Sequence, residues 1–242
     1  MRIPKPPPSW HKNSCNMGYS LLTRLLRAFR KQKKLTQAAL AKKVNRTPSW
    51  VTRYERGNIR LDIIDFQEIV SALDMPIYNF AHYFEHYAEQ DTKTKPSEQK
   101  LLFTEPFELT KNLTDTALSK TAIKVQQLMI EYIASQNVSL DMALHYSELR
   151  QVKKYIFQNF LKYIRIYTRV SQTELTKAID RPQSFISKAE RGERCLDFCE
   201  IRQICQLLNI NMPDFMQAID SCWKESVLIF YQKLDTITGR ES

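Results

Sequence analysis

Amides and guanidiniums, which bind anions by hydrogen bonding rather than break bonds, are the groups whose placement carries a pattern in this chain. Residues 35–57 (LTQAALAKKVNRTPSWVTRYERG) and residues 170–192 (VSQTELTKAIDRPQSFISKAERG) align without a gap at a constant offset of 135. They share an apolar skeleton, a Gln at the start of a predicted helix (Gln37, Gln172) and a terminal Glu-Arg-Gly. Bond-making constellations are scarce by comparison. His82-Tyr83-Phe84-Glu85-His86 is a literal H-x-x-E-H, a string that inverted zinc metalloproteases use. A five-residue match arises cheaply, and no acidic partner motif follows it. Cys195, Cys199 and Cys205 bring no fourth ligand for structural zinc. The expectation is a chain that is not an enzyme, with no metal site and no cofactor.

At 242 residues there is length for two hydrophobic cores and a connector. Only four glycines leave little material for hairpin turns, so the 43% hydrophobic content is expected in helices. Lys and Arg number 36 against 26 Asp and Glu, and the net charge of +10 favours a polyanionic partner. The five cysteines read as reduced thiols of a cytoplasmic protein. No run approaches the roughly 18 apolar residues of a membrane span, and MRIPKPPPSW lacks a signal-peptide core.

The elements that must position the amides and guanidiniums are helices. Residues 1–18, with Pro4, Pro6, Pro7 and Pro8, are expected to be a disordered tail, and Met17 is a second candidate start. From Tyr19, Leu22, Leu25, Leu26 and Phe29 recur at helical spacing, with Arg24, Arg27, Arg30 and Lys31 on the other side. Thr36 caps a second helix that buries Leu40, Ala41 and Val44. A third starts at Thr47 or Pro48, turns Val51 inward and stops at Gly57. Asp62 caps a fourth, and Pro76 opens a fifth carrying Phe80, Tyr83, Phe84 and Tyr87. The second copy repeats this in register, with Ser171 and Glu174 forming a capping box. The predicted layout is a first domain over 19–91, a linker over 92–114, connecting or oligomerisation helices over 115–150, and a second domain over 151–242. The middle section holds helices over 116–135 and from 139 or 140 to about Arg150, and the second domain ends in a long helix from Asp214 to Leu234.

Charge is segregated along both copies. Residues 20–60 hold twelve Lys or Arg and one acid, Glu55, whereas residues 61–91 hold seven acids and no base. Residues 151–194 hold ten bases and four acids, and residues 195–242 four bases and seven acids. The half of each copy that contains the repeated stretch is therefore the basic half, the layout a phosphate-contacting face requires.

The skeleton resembles the phage-repressor-like (Cro/XRE) helix-turn-helix family. The resemblance rests on Leu35-Thr36-Gln37, Leu40-Ala41, Val51-Thr52-Arg53, Glu55-Arg56-Gly57 and Leu61-Asp62. In the second copy it rests on Ser171-Gln172, Leu175, Ile186-Ser187-Lys188, Glu190-Arg191-Gly192 and Leu196-Asp197. It implies an all-α fold of two five-helix repressor-like domains joined by a linker and additional helices, binding double-stranded DNA. It further implies a nucleoid-associated protein in which Gln37 and Gln172, together with the caps Thr36 and Ser171, anchor phosphates at a helix N-terminus. Bases would be read from the third helix by Thr47, Ser49 and Arg53 in the first copy, and by Gln183, Ser184 and Lys188 in the second. Arg46, Arg56, Arg181 and Arg191 would contact phosphate.

Some positions depart from the family pattern. Pro48 stands where a base-reading polar residue is frequent. Trp50 and Phe185 stand where small residues are common; they are expected either to pack on sugars or a thymine methyl, or to lean on the protein's own surface. Asn45 and Asp180 replace a frequent turn glycine, and both tolerate the left-handed conformation. Because the two third helices differ at nearly every outward position, two unlike half-sites are expected. The same fold also serves antitoxin-like proteins that neutralise a partner protein and regulate their own promoter. The aromatic fifth helix, including Tyr78, and the apolar 116–135 helix are the candidate surfaces for that. A homodimer through residues 115–150 or the terminal helix is a further expectation.

Overall fold

A computed structural model describes residues 12–91, 123–124, 127 and 146–238, and among these all regular structure is helical, with no strand. The helices are α1 (Lys12–Gln32), α2 (Gln37–Lys43), α3 (Pro48–Glu55), α4 (Ile63–Ala72) and α5 (Ile77–Asp91). They continue as α6 (Tyr146–Tyr167), α7 (Gln172–Ala178), α8 (Ser184–Glu190), α9 (Phe198–Leu207) and α10 (Met212–Thr238). The chain forms two compact units. The N-terminal unit contains α1 to α5 together with Leu196–Gln203, and the C-terminal unit contains residues 146–195 and 204–238.

Local chemistry fixes most helix starts. Thr36 accepts from Ala39 N, Thr47 from Trp50 N ahead of Pro48, and Asp62 from both Ile64 N and Asp65 N. At α7 the box is complete, with Glu174 N donating to Ser171 Oγ at 3.1 Å and Ser171 N donating to Glu174 Oε2 at 2.8 Å. Those bonds hold the Glu174 carboxyl below its ordinary range. A depressed carboxyl contributes stability above its unfolded pKa and loses it as pH falls through the folded value. We expect Ser171→Ala to cost the C-terminal unit about 1 kcal/mol in urea unfolding at pH 7. The deficit should shrink on acidification, because the part of it that comes from the Ser171 hydroxyl holding the Glu174 carboxylate is lost from the parent once Glu174 is protonated.

The helix ends repeat too. Left-handed residues occur at Lys34 and Arg169, Asn45 and Asp180, Gly57 and Gly192, and Asp74 and Asn209, each pair 135 residues apart, with φ between 50° and 74°. Every one is followed by the same bond, from the next amide back across the last turn: Leu35 N to Arg30 O, Arg46 N to Ala41 O, Asn58 N to Arg53 O and Met75 N to Val70 O. The counterparts are Val170 N to Arg165 O, Arg181 N to Thr176 O, Glu193 N to Lys188 O and Ile210 N to Cys205 O. These are Schellman endings, and they cap carbonyls that would otherwise lack a partner.

In the N-terminal unit the apolar faces converge on Leu22, Leu26, Phe29, Leu40, Val51, Phe66, Ile69 and Phe80, all buried. The C-terminal unit buries Phe160, Leu161, Ile164, Leu175, Ile186, Leu208 and Phe215, and α10 adds Ile219 and Trp223, whose Nε1 donates to Lys153 O at 3.0 Å. The terminal helix thus completes a core as far as its side chains are described.

Three expectations change. The helical chain starts at Lys12, not Tyr19, because the last proline of the tail is Pro8 and nothing after it forbids helix. Gly18 lies inside α1, where an added Cβ would stand 3.4 Å from Cys199 Sγ. No boundary falls at Arg150, since α6 runs unbroken through it. Finally, Phe80, Tyr83, Phe84 and Tyr87 are at most 5% exposed, covered by the chain itself and not presented to solvent as an open aromatic face. The predicted linker over 92–114, most of the helix over 116–135 and the start at 139 or 140 lie outside the described residues; positions 123, 124 and 127 are helical.

Candidate nucleic-acid interface

Glu55 is the only acid among residues 20–60, and the structure folds it inward. Its side chain is 2% exposed and takes both Nε (2.5 Å) and Nη2 (3.0 Å) of Arg30, while Arg30 Nη1 reaches Leu35 O at 2.6 Å. That pairing lifts the Arg30 pKa above its ordinary value. Gln37 donates to Glu55 Oε2 at 2.7 Å and accepts from Thr52 Oγ1 at 2.9 Å. One cluster therefore ties α1, α2 and α3 together. In the C-terminal unit the Arg, Glu and Gln counterparts make the same bonds, while Ser187, in the place of Thr52, donates to Ser184 O instead. Arg165 holds Glu190 at 2.5 and 2.9 Å and Val170 O at 2.8 Å, and Gln172 donates to Glu190 Oε2 at 2.6 Å.

This brace has an electrostatic consequence. With Glu55 neutralised inside, the exposed charge of α2, α3 and their flanks is positive: Lys34, Lys42, Lys43, Arg53 and Arg56 all face solvent. Of the exposed residues of α3, Ser49 carries a hydroxyl donor and Arg53 a cation, which suits phosphate oxygens and base-edge acceptors.

The predicted site residues separate into groups. Ser49, Arg53 and Arg56 in the N-terminal unit, and Gln183, Ser184 and Lys188 in the C-terminal unit, are exposed. Thr47 is exposed but committed to capping α3, with its hydroxyl also 3.0 Å from Ser49 Oγ. Thr36 and Ser171 cap α2 and α7 at the surface. Gln37 and Gln172 are half-buried braces rather than free anchors; each spends one amide hydrogen on the buried Glu and keeps the second.

Several guanidiniums and rings sit differently from expectation. Arg46 is held by Asp65 at 2.8 Å and lies 5.4 Å above the Trp50 ring, because Asp65 in the first turn of α4 faces the α2–α3 turn. Arg191 pairs with Glu193 at 2.6 Å, which raises the Arg191 pKa and lowers that of Glu193. Trp50 is half-buried edge-on to Tyr54, with centroids 5.3 Å apart. Phe185 is 7% exposed, with the Arg194 guanidinium 4.3 Å and the Arg181 guanidinium 5.5 Å from its ring, so it supports cations and is not available to a base.

Sequence reasoning missed Arg194 and the Arg30 and Arg165 braces. The second pair left a signal, the same offset of 135 that joins Gln37 to Gln172. Arg194 left none, since its counterpart at that offset is Ile59.

Residues 21–77 match a family described as "Helix-turn-helix domain". That span covers α2, the turn and α3 with most of α1 and all of α4, so the N-terminal unit contains a helix-turn-helix domain, a fold that binds DNA. Comparison with curated proteins and with solved structures returned no match.

Proposed function

We propose that the chain is a sequence-specific regulator of transcription, a repressor, that grips double-stranded DNA with two helix-turn-helix heads. The observation that carries this reading is the repeated brace. In each unit a buried Arg–Glu–Gln cluster turns inward the one acid of the third helix, Glu55 or Glu190, and leaves that helix with donors and cations on its outer side. Four helix ends with the same Schellman bond at the same offset support a common design.

Within this reading α3 and α8 enter the major groove. Arg53 makes the bidentate pair with guanine, Gln183 the pair with adenine, and Lys188 a single-point approximation of the first. Ser49 and Ser184 make adaptable contacts near the helix start. Arg56, the free hydrogens of Gln37 and Gln172, and the surface lysines hold phosphates and carry no sequence information. Among the described residues no helix is long and apolar enough to cross a membrane, which accords with a DNA-bound protein of the cytoplasm.

Binding-site selection from random duplexes tests the two-headed reading. It is expected to return a composite site of two unlike halves, and a single perfect palindrome per chain would contradict it. Arg53→Ala and Gln183→Ala should each relax preference at one base position by about 1–3 kcal/mol, whereas Arg56→Ala should weaken all sequences alike. Equal losses on selected and random DNA for all three would remove Arg53 and Gln183 as readers.

A further inference from the structure

The N-terminal unit includes a piece of chain that does not belong to its own sequence repeat. Leu196–Gln203 belongs to this unit and packs on α4 and α5 through backbone, aromatic and ionic contacts. Ile63 N donates to Leu196 O at 3.0 Å, and Asp62 and Asp197, repeat counterparts of each other, form an antiparallel bridge. Phe198 is fully buried, its ring 4.6 Å from Phe66, 5.0 Å from Phe84 and 5.8 Å from Phe80. Arg202 clamps Glu85 with three bonds of 2.7 to 3.0 Å. Arg60 reaches Asp197 at 3.0 Å across 137 residues of sequence and lies 3.8 Å from Glu200.

This contact bears on the DNA-facing helix. The residues that follow α3 are pinned by Tyr19, whose hydroxyl donates to Ile59 O at 2.7 Å and accepts from Leu61 N at 2.8 Å. Arg60, between them, spans the Tyr19 ring at 5.7 Å and the Asp197 carboxylate. On the other side of α3, Arg46 in the α2–α3 turn is tied to Asp65 of α4. Both ends of α3 are thus referred to the start of α4, the place where Leu196–Asp197 adds its bridge.

We propose that the α4–α5 face of the helix-turn-helix domain is a docking site whose ligand is the chain's own Leu196–Gln203, and that its occupancy sets the DNA competence of α3. The site takes an extended Leu-Asp that enters a helix turn, an aromatic plug in the Phe66–Phe80–Phe84 cage, and a cation for Glu85. The chain supplies all three at Leu196-Asp197, Phe198 and Arg202. DNA competence here rests on the proposed function; the docking does not.

The test uses the full chain and four variants: Phe198→Ala, Arg202→Glu, Glu85→Arg, and the double charge swap Glu85→Arg with Arg202→Glu. Hydrogen exchange of amides in α4 and α5 and affinity for the selected duplex are measured on each. Phe198→Ala and the two single charge variants are expected to exchange about tenfold faster or more in α4 and α5. They should also bind DNA more weakly, and the swap should restore both properties. The charge pair is half-exposed, so its variants remain informative even where Phe198→Ala fails to fold. Unchanged exchange in Arg202→Glu and Glu85→Arg overturns the docking site. Faster exchange with unaltered affinity overturns its link to α3. A parent chain that binds no duplex defeats the proposed function instead, and exchange alone then decides the docking. Exchange that slows over a roughly hundredfold rise in protein concentration shows a second copy supplying the segment, and overturns the assignment to the same chain.

Discussion

Glu55→Ala is expected to destabilise the N-terminal unit by about 3–5 kcal/mol, because it leaves the Arg30 guanidinium buried without its counter-charge. The loss extends beyond one ion pair. Arg30 is 6% exposed, and removing Glu55 takes two of its hydrogen bonds and the acceptor that orients the Gln37 amide nitrogen. Domain stabilities run to about 5–15 kcal/mol, so the variant should lie close to its unfolding midpoint at moderate urea. Arg30→Met with Glu55→Leu, which removes both charges and keeps volume, is expected to recover most of that stability. DNA affinity should not recover with it, because Gln37 and Thr52 lose the carboxylate that fixes α2 against α3. A loss below about 1 kcal/mol in Glu55→Ala would mean that the pair is as solvated as a surface bridge. Urea unfolding followed by circular dichroism measures all three proteins.

The second large effect is ionic. Affinity for duplex DNA is expected to fall by about 10³–10⁵ between about 50 and 200 mM salt, the range for a protein that neutralises roughly six to ten phosphates. Exposed cations are sufficient for that: Lys34, Lys42, Lys43 and Arg56 in one unit, and Arg169, Lys177 and Arg194 in the other. Arg56→Ala should lower the logarithmic slope by about one, since it removes one phosphate contact. Arg191→Ala should change it less, because Glu193 already neutralises that guanidinium. Anisotropy titrations at four salt concentrations give the slopes; a slope near zero would exclude a phosphate-dominated interface.

The sequence made some of this structure legible because the controlling forces are local. The caps Thr36, Asp62 and Ser171 act within three residues of themselves, and the left-handed Asn45 and Asp180 follow from side chains that tolerate φ > 0. Lys34 and Arg169 adopt the same conformation with no such chemistry, and only the repeat spacing marks them. The aromatic spacing of α5 fits a core and a docking surface equally well, and it is packing against Phe29, Phe66 and Phe198 that decides. Phe185 was ambiguous for a related reason, since its burial depends on Arg194 from beyond the next turn. Arg46 read as a free cation because its partner, Asp65, comes from a different helix. Leu196–Gln203 was out of reach altogether: composition and periodicity carry no trace of a partner 137 residues away.

The most direct test of the central claim, that α3 presents the DNA-binding face, is a titration of the full chain against its selected duplex at low salt, with Arg53→Glu and Arg56→Glu measured beside the parent. Both residues are exposed and lie outside the brace, so the fold should be untouched, as unchanged circular dichroism would verify. Each reversal is expected to weaken binding by tenfold or more, roughly one bidentate or charge-assisted contact. Parent-like affinity in both variants would contradict the account and place the nucleic acid on another surface.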